Sequence, residues 1–590
     1  MPSPLTLQRL ALSIDDSVRP LCWRGDGSVG SDGALTVPAR GAVDLGTWSN
    51  AAPVGWWSRL GVSQVRLAVT GVGMLVVSAS QDGTSRVLAT VELRHGRPFV
   101  LDVTTADADW CWLTLKAPAS GQGRLTSAEW STRDVHLDGR PRSMTVVVPT
   151  FRAESEALAQ LARLTAPELE DAVARVVLID QGGTLAAHPG ATEALAAAGE
   201  RVLLVEQPNL GGSGGYARGL HEANRRWPED PVFLHDDDAR AQPETLRRLA
   251  ALAALAPHTF FGTNLLDVDA PTRLQALAEG VEPRTFRWGP TDGVDERGTT
   301  DVSAGSPDTW RFTRPDDRAE YAGWWGCLVP AGAAGRLGLV APYFLKWDDA
   351  EYGLRAGQAG FETRNVPGCA VWSMSWASKG TSASWSSWPM HRNRLATAAA
   401  YHAGPGVLVD SLLHQVKHVL SLQYATAELW NAALREFVSG PGWLAADLTL
   451  VRPRAQALID AMPSPPVPAP GGVAGSTGTP PLGRPRAAVR AVAGLFRPAD
   501  TPGPRVADLA SPSEFGWVDG LGSDAVVFAD GTAPLLRDPR RARRALVRAF
   551  VLHGRAMLRW HGLRRSYGSA LPVASSLAAW QERFASSPRH

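Results

Sequence analysis

Short apolar runs parted by Gly, Asp and Ser occupy the first 140 residues: Val65–Val69, Met74–Val77, Val87–Leu93, Phe99–Val103 and Trp110–Leu115. Several alternate apolar with polar positions, the mark of strands with one buried face, and their close spacing predicts an antiparallel sandwich or jelly roll over 1–140. From Ser143 the pattern changes. Thr145–Pro149, Val176–Asp180, Val202–Glu206 and Pro231–His235 are compact apolar strands, with helical patterns at Glu154–Leu164 and Tyr216–Arg226 between them. Continuous apolar strands alternating with helices predict an α/β domain over 141–400, a mostly parallel sheet covered on both faces. Ligands of such sheets bind at the carboxyl ends of the strands, where Asp180, Asn209 and Asp236 fall. Residues 401–590 read as helical, with an amphipathic stretch Ser411–Phe437 and a basic segment opening at Asp538-Pro539, an N-cap and N1 pair. The Pro/Gly-rich stretch 464–486 reads as a linker or long loop.

A chain of 590 residues exceeds one core and calls for two to four domains. With Lys+Arg 59 against Asp+Glu 58, overall charge gives no reason to expect a nucleic-acid partner. Cys22, Cys111, Cys327 and Cys369 lack CxxC spacing, which argues against structural zinc and a disulfide framework and fits a reducing compartment. No apolar run reaches about 18 residues, so a soluble or peripheral protein is expected. The 22 tryptophans leave two readings open for pairs such as Trp56-Trp57 and Trp110 with Trp112: a carbohydrate cleft or core packing.

Chemistry concentrates at four places. Asp236-Asp237-Asp238 follow a buried strand directly. At about 4 Å and an effective dielectric of 20, each pair of like charges repels by roughly 4 kcal/mol. Either the turn is well solvated, or a hard divalent cation bridges it to another anion. Pro208–Tyr216 (PNLGGSGGY) joins a strand to a helix; its glycines allow close approach to an anion at a helix start, or merely make a tight connection. In Phe344–Gly353 (FLKWDDAEYG), Asp348 can cap the following helix and leave Asp349 to accept a proton. His391-Arg392-Asn393-Arg394 offers an arginine pair for phosphates, or an ordinary helix start.

The segments PNLGGSGGYARG, HDDDAR, GWWGCLVP, LKWDDAEYGLRA, VWxMxW and HRNRL stand in the order and spacing of the actinobacterial polymerising galactofuranosyltransferases, and the chain resembles that family over nearly its full length. The resemblance implies a GT-A, family 2 type glycosyltransferase domain between a β-sandwich and a helical C-terminal domain. It implies inverting transfer from UDP-galactofuranose to a polyprenyl-linked galactan in cell-wall synthesis, dependent on Mn²⁺ or Mg²⁺. By position, Asp236 and Asp238 would bind the metal, and Asp237 would lie beside them near the ribose, on the donor side. Pro149, Arg152, Gln181 and Asn209 would contact the nucleotide. Asp349 would be the general base, with Trp324, Trp325 and Asp348 on the acceptor side.

One departure stands out: where the family writes VWHMxW, its His completing the metal site, this chain has Ser373, and the His of HLRNRL is shifted to His391. That leaves a transferase with altered metal preference, one using another UDP-sugar, or a non-catalytic carbohydrate-binding subunit. From Arg537 to Arg565 ten arginines face one acid, Asp538, and Leu546, Phe550, Met557 and Trp560 recur at near-helical spacing. A peripheral cytoplasmic position at the inner membrane surface, a packed helix with a solvated basic face, and a homo-oligomer contact are all compatible with this pattern.

Overall fold

A computed structural model describes residues 4–13, 15–134, 143–291, 300–310, 318–375, 384–462, 482–498, 505–512 and 515–586. The expected boundary near 140 and Trp376 of the VWxMxW segment lie outside the described residues, as does most of the 464–486 stretch, although its end already belongs to helix Arg484–Gly494.

The N-terminal region is an antiparallel sandwich whose two layers share a strand. Gln64–Gln81 pairs through its first half with Phe99–Thr104 and Gly123–Thr132, and through its second with Thr84–Leu93 and Trp110–Lys116. Val65–Val69 and Met74–Val77, read as separate strands, are therefore one. The intervening Gly71 and Gly73 make the change of layer rather than a turn: Gly73 has φ 128°, and a side chain on Gly71 would meet the Arg124 carbonyl. Trp56 and Trp57 are buried in the short helix Val54–Ser58, and Trp110 packs edge-on against Trp310 at 5.3 Å. These tryptophans are core, not cleft.

In the central region the sheet runs, from its edge, Val202–Glu206, Val173–Asp180, Met144–Thr150, Val232–Leu234, all parallel. It continues through antiparallel Cys327–Val329 to Thr259–Asp267 and Glu362–Ser373. Helices Glu154–Leu164, Ala191–Ala198, Gly211–Arg226 and Pro243–Leu255 accompany it. Val146, Val147 and Val148 are all buried, as expected of strands covered on both faces. Strand order reverses between Met144–Thr150 and Val232–Leu234, and the crevice at such a switch point is where doubly wound sheets bind ligands. The sandwich docks onto Pro243–Leu255, where Glu244 accepts from the Arg9 N–H at 2.6 Å and Arg248 donates to the Ser49 carbonyl at 2.6 Å.

The C-terminal region is mainly helical but adds a small sheet of Val506–Leu509, Ala525–Phe528 and Leu535–Leu536, which the helical reading lacked. The stretch Ser411–Phe437 divides into Gly406–Leu420 and Tyr424–Ser439 at Leu422, whose φ is 66°. The last long helix runs Pro539–Ala574, with the Asp538 side chain accepting from the Arg540 and Arg541 N–H groups as its cap. It is packed inward: Trp560 donates to the Ala403 carbonyl and Tyr567 to that of Phe437. Trp560 is buried while Phe550 and Met557 are exposed, so the four residues expected on one face do not share it. Its exposed side carries Val547, Phe550, Val551 and Leu558 among the arginines. Among the described residues no helix is long and apolar enough to cross a membrane.

Candidate active site

The Asp236–Asp238 turn leaves strand Val232–Leu234 at the switch point, and all three acids are half-buried. Buried Gln160 clamps the turn through its amide: Nε2 donates to the Ala239 carbonyl at 2.9 Å and to that of Asp236 at 3.4 Å. His235, pushed down to about 4 chiefly by burial and therefore neutral at pH 7, shares a 2.5 Å hydrogen bond between Nδ1 and the Trp325 carbonyl. The Tyr216 hydroxyl lies 2.5 Å from Asp236 Oδ1 and 3.0 Å from the Trp324 carbonyl, joining the acidic turn to the tryptophan pair. Burial, reinforced by the charges of Asp236 and Asp238, pushes the Asp237 carboxyl up to about 6 against a hydrogen bond from Thr150. An acidic turn of hard oxygen donors, whose central carboxyl is pushed up partly by its neighbours' charges, suits a divalent cation. The described residues hold no ready-made group of three or more His, Cys, Asp or Glu side chains around one point.

Across the crevice, helix Asp348–Gln358 starts from a strained turn: Phe344, Lys346 and Trp347 have φ of 72°, 69° and 72°. Each such residue costs on the order of 1–3 kcal/mol and persists only where its surroundings enforce it. Trp347, not Asp348, is the N-cap, and Asp348 makes no capping hydrogen bond; its Oδ2 accepts from Ser213 Oγ at 2.8 Å. Burial pushes its carboxyl upwards, opposed by that hydrogen bond. Asp349 Oδ1 accepts from the Ala350 N–H at 2.7 Å, and burial, then the charge of Asp348, pushes its carboxyl up to about 7. A carboxyl poised there suits proton transfer near neutral pH.

The glycine loop connects the two walls. Ser213 N–H donates to the Phe344 carbonyl at 3.2 Å, and that carbonyl occupies the space a side chain on Gly211 (φ 73°) would need. Asn209 Oδ1 accepts from the Gly211 N–H at 2.9 Å. Gln181 braces the loop from beneath, donating to the Gly211 carbonyl at 3.1 Å and accepting from the Leu210 N–H at 3.0 Å. Pro149 packs under Gly215, and Arg152 is exposed with φ 56°. Asp180 is a structural cap, accepting from the N–H groups of Gly182, Gly183 and Leu185.

One cleft of about 240 Å³ gathers Asp236, Trp324, Trp325, Asp348 and Asp349. Tyr216, Lys346, Glu279, Trp288 and Met390 also line it. Of these, Tyr216 and Lys346 stand inside segments that the sequence singles out, whereas Glu279 and Trp288 come from the hairpin Glu279–Val281/Trp288–Pro290, which no motif flags. Ser373 is buried at the end of its strand. His391 points away from the cleft: its ring stacks on Trp430 at 3.7 Å and its Nε2 meets Ser411 Oγ at 3.0 Å. The arginine pair is likewise committed inside the protein, Arg392 to Glu436 at 3.1 Å and Arg394 to Asp410, which removes the phosphate reading for both.

A doubly wound sheet with an acidic turn at its switch point and an acid pair facing it is the architecture of a GT-A glycosyltransferase. Residues 141–395 match the family described as Glycosyltransferase like family 2, and the chain is a glycosyltransferase. Residues 407–586 match Galactofuranosyltransferase-2, domain 3. The galactofuranosyltransferase GlfT2 of Mycolicibacterium smegmatis is 30% identical over 93% of this chain and 90% of its own length. That of Mycobacterium tuberculosis is 29% identical over 93% and 91%. The chain belongs to the GlfT2 galactofuranosyltransferase family. Among solved structures, GalNAc-T7 with UDP, GalNAc and Mn²⁺ is 13% identical over 43% of this chain and 47% of that one, with a TM-score of 0.31.

Proposed function

We propose that the enzyme transfers galactofuranose from UDP-galactofuranose to a polyprenyl-linked galactan, with inversion at the anomeric carbon. The observation that supports this most directly is the single cleft holding Asp236, Asp349 and the Trp324-Trp325 pair. In this reading the donor lies beside the glycine loop, which shapes the crevice rather than offering the Gly211 and Ser213 N–H groups, both already bonded within the protein, and Pro149, Arg152, Gln181 and Asn209 lie on the nucleotide side. Asp349 takes the proton of an acceptor hydroxyl while that oxygen bonds the anomeric carbon from the face opposite UDP. The bond from the anomeric carbon to the diphosphate oxygen breaks, UDP leaves with its electron pair, and the proton passes from Asp349 to solvent. Trp325 offers the acceptor sugars an apolar face, and Trp324 lines the cleft from a buried position packed edge-on against Tyr216 at 4.9 Å.

Asp236 and Asp238 are the residues that would hold Mn²⁺ or Mg²⁺, with Asp237 beside them. A cation there supplies charge neutralisation for the departing diphosphate. With Ser373 in the family's His position the donor set is oxygen-rich, which favours Mg²⁺ more than an imidazole would. The exposed apolar and basic side of helix Pro539–Ala574 is consistent with work at an anionic membrane surface, where a lipid-linked acceptor lies.

The test is UDP release from UDP-galactofuranose and other UDP-sugars, with Mn²⁺, Mg²⁺ or chelator, against a short galactofuranosyl acceptor. Turnover with UDP-galactofuranose, abolished by chelator, is the expected result. A preference for another sugar nucleotide, or indifference to chelator, would overturn the corresponding part.

A further inference from the structure

The HRNRL segment has no task in the chemistry above, yet it lies behind the turn that presents Asp348 and Asp349. Its Asn393 is fully buried in helix Ser387–Ala400. The Nδ2 group lies 3.0 Å from the Leu345 carbonyl, 3.0 Å from that of Lys346 and 3.3 Å from that of Tyr343. Those carbonyls belong to the turn whose Phe344, Lys346 and Trp347 are left-handed. Arg392 orients the amide, donating from Nε to Asn393 Oδ1 at 3.2 Å while its Nη1 pairs with Glu436 at 3.1 Å. Thr397 adds a second tie: its Oγ1 donates to the Asn393 carbonyl at 2.8 Å and lies 2.9 Å from the Tyr343 hydroxyl. None of the three left-handed residues is a glycine, so the chain there does not favour this shape by itself. The Asn393 amide reaches several of its converging carbonyls, alongside Arg392 Nη2 on the Tyr343 carbonyl at 3.4 Å and the Ser213 N–H on that of Phe344 at 3.2 Å.

We infer that Asn393 is a positioning residue for catalysis, holding the Tyr343–Trp347 turn so that Asp349 faces the acceptor hydroxyl. The inference rests on the reading of Asp349 as general base. It assigns to Asn393 the rate of the transfer step and not the binding of donor, because the glycine loop has its own brace in Gln181.

The test compares Asn393→Ala, Asn393→Asp and Asn393→Ser with wild type and Asp349→Asn in the full-length enzyme. UDP affinity is read by calorimetry, kcat and KM by UDP release, and folding by thermal melting. A shift of the base by about 1 Å can cost on the order of 10²-fold, and a kcat loss of that order is expected for Asn393→Ala with UDP affinity and donor KM unchanged. Asn393→Asp keeps the size and the Arg392 contact but turns an acceptor towards carbonyls, and should be at least as slow. Asn393→Ser, with one donor left, should fall between wild type and Ala. Wild-type kcat in folded Ala and Asp variants overturns the inference, as does a full-activity Asp variant alone, since volume would then suffice. Failure of all three variants to fold also overturns it, because Asn393 would then serve the fold. If Asp349→Asn stays active while the Asn393 variants are slow, the base assignment falls and the positioning of the turn stands. If Asp349→Asn is inactive and the Asn393 variants are normal, the positioning role falls alone.

Discussion

The two acidic turns that face each other across the cleft are built in opposite ways. Asp236–Asp238 leave the end of a parallel strand at the switch point, so the sheet itself carries them to the ligand crevice. Asp348 and Asp349 start a helix, and reach the same cleft only through a left-handed turn that costs backbone energy. Both turns are gripped from behind by a buried side-chain amide, Gln160 on one side and Asn393 on the other. The sheet carries the first set of acids to the crevice and Gln160 steadies it; the second set depends on a left-handed turn tied to a helix about 45 residues further along the chain.

The sharpest break in that comparison should come from Asp349→Asn. The amide oxygen can still accept from the Ala350 N–H but takes up no proton, so transfer should fall by about 10²–10⁴-fold. Calorimetry with UDP should show binding close to wild type; survival of turnover within a few-fold would move the base to Asp348 or Glu351.

Gly211→Ala tests whether the walls are locked together. The new methyl meets the Phe344 carbonyl in a left-handed backbone, a conflict of roughly 1–3 kcal/mol by either overpacking or strain. A lowered melting temperature with loss of both UDP affinity and kcat is expected, and loss of UDP affinity alone would show the walls to be independent.

Gln160→Ala should weaken the other turn. It leaves the Ala239 carbonyl without its buried donor, a loss of about 1–3 kcal/mol. Its kinetic signature should be a raised donor KM and a higher metal requirement, read by titrating activity with Mg²⁺ and Mn²⁺. A pure kcat effect would contradict the division of labour between the turns.

The smallest change expected is a pH shift. Burial and the neighbouring Asp348 charge raise the Asp349 carboxyl to about 7, and only the ionised form accepts a proton, so kcat/KM should decline as pH falls through neutrality. In Asp348→Asn one raising influence is gone; the Asp349 carboxyl then ionises at lower pH, and the acid limb should move down. A limb that stays put, or moves up, would show that Asp348 does not set it.

Much of the central region is legible in the chain because each strand from Met144 to Leu234 is buried on both faces and must be apolar throughout. Asp538-Pro539 is equally legible, since a cap acts on its nearest neighbours. What escapes the sequence depends on distant partners. Gly71 and Gly73 look like a turn until two layers are seen to share one strand. Leu422 interrupts a helix with no Gly or Pro to mark it. Asp348 has the spacing of a cap, but Ser213, 135 residues away, takes its carboxylate. The arginines of HRNRL look ready for phosphate until Glu436 and Asp410 are found beside them. Gln160 and Asn393 read as ordinary polar residues, because a clamp is defined by the carbonyls it holds.

The contact between the Ser213 N–H and the Phe344 carbonyl also bears on how this family can diversify. It registers the glycine loop against the Phe344–Trp347 turn through main-chain atoms, so it is indifferent to which side chains the turn carries. Leu345 and Lys346 line the cleft, and exchanging their side chains would leave the spacing between the two walls in place. Selection can therefore vary the side chains that face the cleft without changing the distance between its walls.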